Sequence, residues 1–149
     1  MSLDTTILEL GAKGYGCAQI LLAGGLRFLG RDNPDLLRAM SGLTQGGGGS
    51  GQLCGALSGG FCLIGLYCGK GADGEQPDGR ADLLMEGLLA WFQEQPFARN
   101  GLSCEAILGR TPAGMDPALC GEIVSGVWQT VLALLPEHGL DPGEGREAG

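Results

Sequence analysis

The sequence predicts an all-α protein, a compact bundle of about five to seven helices joined by glycine-rich loops. Three observations predict it. Apolar residues recur at helical spacing along most of the chain, caps and prolines mark helix starts, and no segment alternates as a strand does. The length of 149 residues suits one domain with one core, and hydrophobic residues make up 44%. We expect a single helical domain over residues 1–135 and a disordered acidic tail over 136–149.

In chain order, Leu3 to Leu10 is a short apolar helix, interrupted by Gly11, Gly14 and Gly16. A second runs from about Gly16 to Leu29, with Ile20, Leu21, Leu22, Leu26, Phe28 and Leu29 on its apolar faces. Asn33 caps a short third helix that starts at Pro34 and ends near Met40. The run Gly46-Gly47-Gly48-Gly49-Ser50-Gly51 reads as a flexible linker more readily than as a tight loop. An uncharged helix follows, from Gly51 to about Cys68. Its Gly55 and Gly59 form a small-residue face that lets another backbone approach closely. Residues 69–79 form a polar turn region. Arg80 to Gln95 is amphipathic, with Leu83, Leu84, Leu88, Leu89, Trp91 and Phe92, and Pro96 ends it. Cys104 to Leu108 is short. The last helix opens at Asp116-Pro117 and runs to about Leu135.

Composition narrows the function. Nine basic residues against 17 acidic ones give a formal net charge of −8, which repels nucleic acid and anionic membranes. The opening Met1-Ser2-Leu3-Asp4-Thr5-Thr6 lacks the pattern of a secretory signal. The best membrane candidate, Leu53 to Tyr67, is about 15 residues long where a span needs roughly 20, so a buried core helix is expected. We expect a cytoplasmic protein that is not an integral membrane protein. One histidine, His138, leaves no catalytic triad and no Cys–His pair outside the tail.

Six cysteines in a reducing compartment point to metal binding or redox chemistry, not to a disulfide framework. Helix geometry sorts them. Cys54, Cys62 and Cys68 share one helix, with Cys54 and Cys62 about 12 Å apart along its axis at ~1.5 Å per residue, too far to bridge or to share one ion. Cys17, Cys54, Cys104 and Cys120 each stand near a helix start, where unpaired N–H groups and the helix dipole favour thiolate and lower the pKa. Cys62 and Cys68 lack that setting and read as packing residues. Glu105, beside Cys104, suits a first helical turn and raises a neighbouring thiol's pKa. Trp91 and Trp128 read as core or interface aromatics, and Tyr15 and Tyr67 as packing residues near cysteines.

The run Cys54-Gly55-Ala56-Leu57-Ser58-Gly59 matches a CGAxxG signature. Gly14-Tyr15-Gly16-Cys17 before it, and Ser103-Cys104-Glu105 and Cys120 after it, complete an ordered set. In this the chain resembles the prokaryotic C_GCAxxG_C_C family of redox-active four-cysteine proteins over roughly Leu10 to Leu135. The resemblance implies Cys17, Cys54, Cys104 and Cys120 as the functional set. It also implies a link to transporters, near whose genes members are often encoded.

Three functions follow for the four thiols. The first is an electron-transfer metal or iron–sulfur thiolate centre, with all four as ligands. The second is thiol–disulfide exchange, with no cofactor and with Cys54 as the reactive thiolate. The third is a helical binding or oligomerisation module whose thiols pack or hold zinc. Spacings of 37, 50 and 16 residues contain no C-x-x-C knuckle. The expected partners are a redox protein or a small-molecule thiol, and a homodimer through the glycine face is one arrangement.

Overall fold

The computed structural model describes residues 3–109 and 116–146. Met1, Ser2 and the last three residues of the expected tail lie outside the described residues. The fold class is all-α, with seven α-helices among the described residues. They are α1 (Leu3–Ala12), α2 (Cys17–Phe28), α3 (Pro34–Met40), α4 (Gly55–Cys68), α5 (Arg80–Glu94), α6 (Cys104–Leu108) and α7 (Pro117–Glu137). Short 3₁₀ turns cover Ser41–Gly46 and Pro96–Ala98.

Local chemistry sets the boundaries. The Asn33 side chain accepts from the Leu36 amide at 3.1 Å, Ser103 from Ala106 at 3.0 Å, and Asp116 from Leu119 at 3.1 Å. Each satisfies an N–H that the first turn leaves unpaired. Three boundaries differ from expectation. α1 runs on through Gly11 to Ala12. α4 starts at Gly55, because Cys54 holds extended backbone and is itself the N-cap. α7 continues through Pro136 to Glu137.

The uncharged helix α4 is the centre of the molecule, packed against α2, α5 and α7. Its Leu57, Leu63 and Ile64 are wholly buried. The small face is used within the chain. A methyl at Gly59 would stand 2.8 Å from the Ala18 backbone, and one at Gly60 would stand 2.6 Å from Val127. Close approach to α2 and α7 therefore accounts for these glycines without a second copy of the chain. Leu53 to Tyr67, the membrane candidate, is thus largely core. α7 is the one helix among the described residues long and apolar enough to cross a membrane by length and composition, and its buried face packs on the other helices.

Two loops depart from the sequence expectation. The glycine run is a built turn, with positive φ at Gly46, Gly47, Gly48, Gly49 and Gly51. The Gly48 amide donates to the Gly42 carbonyl at 2.7 Å and that of Gly51 to the Gln45 carbonyl at 3.0 Å. The tail was expected to lack structure, yet residues 138–146 lie back on the body. Tyr67 donates its hydroxyl to the Pro142 carbonyl at 2.7 Å, so it anchors the tail. Arg80 donates to the His138 carbonyl at 2.9 Å, and Arg146 to those of Cys68 and Gly69 at 3.2 and 3.0 Å.

Candidate functional site

Cys17, Cys54, Cys104 and Cys120 line one small cavity of about 20 Å³. Its walls are otherwise Gly55 and Ala56 of α4, Ile107 and Leu108 of α6, Ile123 of α7 and Gln45. Among the described residues, no carboxylate, imidazole or amine faces it. Cys54 and Cys104 are buried, each 8% exposed, while Cys17 and Cys120 are half-buried. Cys62 and Cys68 lie elsewhere on α4, the latter in the core.

Each sulfur arrives on a different element. Cys17 is the first residue of α2, and the cap before it is Gly16, whose amide donates to the Gln19 side chain at 2.9 Å. A methyl at Gly16 would fall 2.2 Å from the Thr44 side chain. Cys120 lies in the first turn of α7, its amide donating to the Asp116 carbonyl at 2.8 Å. Cys54 and Cys104 are joined by the one β-bridge among the described residues, between Leu53 and Ser103. The Cys54 amide donates to the Leu102 carbonyl at 2.9 Å, and the Cys104 amide to the Gln52 carbonyl.

Gly55 separates two of the sulfurs. A methyl there would stand 2.5 Å from the Cys17 sulfur and 2.8 Å from the Leu43 carbonyl. Glycine after Cys54 is therefore a steric requirement of the cysteine cluster itself. A family model described as "Putative redox-active protein (C_GCAxxG_C_C)" matches residues 15–134, most of the chain. The chain belongs to the C_GCAxxG_C_C family. No curated protein and no solved structure matches it.

In this C_GCAxxG_C_C member the motif reads Cys54-Gly55-Ala56, with glycine on the helical side of the cysteine. The Gly51 loop is built against the same site. A methyl at Gly51 would meet the Glu105 side chain at 2.5 Å, and the Glu105 amide donates to the Gly51 carbonyl at 3.1 Å.

The expected lowering of the thiol pKa does not hold for Cys17 and Cys54. Burial pushes the Cys54 thiol from an ordinary 9.0 up to about 11. The Ala56 and Leu57 amides at the open end of α4 oppose this, and the Cys17 and Cys104 sulfurs reinforce it. Burial also pushes Cys17 up, against the amides of Gln45 and Ala18, with Cys120 and Cys104 adding to the rise. The helix-start effect is present at both sites, and loss of hydration outweighs it.

Sequence reasoning missed Gln45. It is the only non-glycine residue with positive φ among the described residues, at 51°. That conformation turns its amide toward the Cys17 sulfur and brings it to the cavity wall. The four glycines that follow hint at unusual backbone, but nothing in a glutamine marks it for the left-handed region.

Proposed function

We propose that this redox-active protein is an electron-transfer protein in which Cys17, Cys54, Cys104 and Cys120 ligate an iron–sulfur cluster. The observation that carries the reading is a single small cavity whose only strong donors among the described residues are four thiols from four separate elements. An all-thiol set selects soft centres, and four is the ligand count of the common clusters.

Among the described residues, no three side chains of His, Cys, Asp or Glu are grouped to hold one metal ion. A single structural zinc, which needs four ligands about 2.3 Å from one centre, would therefore require the sulfurs to close in. In a cluster the cysteines sit on the outside of several irons and need not crowd one point. The free space of about 20 Å³ holds roughly one water, so the walls must widen on loading. When bound, the cluster would supply a one-electron couple.

The chain's own groups suit that role. Ile107, Leu108 and Ile123 line the cavity beside the buried Cys54 and Cys104. The amides of Gln45, Ala18, Ala56 and Leu57 favour negative charge on Cys17 and Cys54 and would tune the potential. Both thiols are neutral at pH 7, so ligation must release their protons.

Thiol exchange with Cys54 as nucleophile is the weaker reading. Attack needs an accessible thiolate, whereas Cys54 is buried with its pKa at about 11. The test is iron and sulfide content after anaerobic purification. We expect a brown protein with equal iron and sulfide, lost in Cys54→Ser and Cys104→Ser and kept in Cys62→Ser. A colourless protein whose free-thiol count drops by two on oxidation would instead establish exchange.

A further inference from the structure

We infer that a groove between α1, α2 and α7 is a binding site for an uncharged, ring-sized apolar molecule, held against the outer side of Cys17 and Cys120. The groove has a volume of about 350 Å³, within the roughly 300–1,000 Å³ of ordinary small-molecule sites. Ile7, Tyr15, Ile20 and Val124 supply its walls, and Cys17 and Cys120 are shared between it and the four-cysteine cavity. These are also the two half-buried members of the set, so the groove adjoins the more open side of the sulfurs.

The ligand class follows from what the walls lack. In a chain with 26 charged residues and a net charge of −8, no charged side chain among the described residues lines this groove. An ion entering it would lose water and gain no partner. Beside the thiols, the Tyr15 side chain is the only one among the described lining residues that carries a polar group, which suits a ring bearing at most one or two hydrogen-bonding atoms. Leu8, 75% exposed, stands at the rim and extends the apolar surface outward. Assigning the groove to the redox centre rests on the function proposed above; the binding itself does not.

Fluorescence of N-phenyl-1-naphthylamine tests this on the full chain. We expect saturable binding of one probe per chain, and at least ten-fold weaker binding of its anionic relative 8-anilinonaphthalene-1-sulfonate. Gly11 lines the groove, and a methyl added there would meet nothing within 4 Å. Gly11→Phe should fill the space and weaken the neutral probe at least ten-fold while leaving the circular dichroism unchanged. Gly121→Leu, from the α7 wall, should do the same. In metal-free protein, the neutral probe should slow iodoacetamide labelling of Cys17 and Cys120. No saturable binding, equal affinity for the anion, or wild-type binding by both filled variants would overturn the site. Iron content reads the cluster and fluorescence reads the groove, so the two proposals fail separately.

Discussion

Gly55 and Gly65 occupy the same helix and make opposite demands. Gly55 has the Cys17 sulfur and the Leu43 carbonyl where a methyl would go, while Gly65 has nothing within 4 Å. Gly55→Ala should therefore cost about 1–3 kcal/mol by overpacking and lose bound iron. Gly65→Ala should gain about 0.5–1 kcal/mol, the usual return for replacing a helical glycine. Urea denaturation of the two variants checks both signs. The thiols give a pH prediction. Cys54 ionises near 9.0 when exposed and at about 11 in the fold, so the unfolded chain loses its proton first. Stability of the metal-free protein is unaffected below that range and falls as pH rises from about 9 to 11. Cys54 alone contributes on the order of 2–3 kcal/mol to that fall, and Cys17 acts in the same direction. Chemical denaturation across this range measures it. Which cysteines share one cavity was legible because caps and glycines mark helix starts locally. The sign of their pKa shift was not, because desolvation comes from Ile107, Leu108 and Ile123, residues remote in sequence from Cys17 and Cys54.

Among the elements, the glycine loop shows where composition misleads. Poly-glycine has the same composition whether it is a flexible connector or a turn with every φ fixed. What decides is contact with Gln52 and Glu105, which no local pattern encodes. Gly46 has φ of 82°, and a methyl there would lie 2.2 Å from the Gln52 backbone nitrogen. Gly46→Ala should cost more than about 2 kcal/mol, combining left-handed strain with a clash that backbone atoms cannot relieve. Ser103→Ala should cost about 1 kcal/mol, the value of a lost N-cap, at the start of the helix that carries Cys104. Thermal melts of both variants test the ranking. The helices themselves were readable almost to the residue, since Asn33-Pro34, Ser103 and Asp116-Pro117 cap where they should. The start of α4 was misplaced because its cap is a cysteine, a residue with no capping preference.

At the scale of the whole molecule, the class was legible and the arrangement was not. Periodicity shows that α4 is apolar on all sides, and only packing shows that α2, α5 and α7 surround it. The tail was misread for a related reason. Its glycines, prolines and charges resemble a disordered segment, but Arg146 reaches the carbonyls of Cys68 and Gly69, and Leu140 packs on the core. Arg146→Ala should lower the melting temperature by a few degrees, from about 1–2 kcal/mol of lost hydrogen bonding. Iron content should not change, since the tail meets α4 at the end opposite Cys54.

The bridge at Leu53 and Ser103 yokes two sulfurs that are fifty positions apart in the chain. Cys54 and Cys104 must shift as a pair, whereas Cys17 and Cys120 ride separately on α2 and α7. The four thiols thus ride as two plus one plus one on separate elements. Amide hydrogen exchange gives this a measurable form: the Cys54 and Cys104 amides, each bonded across the yoke, should show one common opening free energy once each rate is corrected for its intrinsic rate.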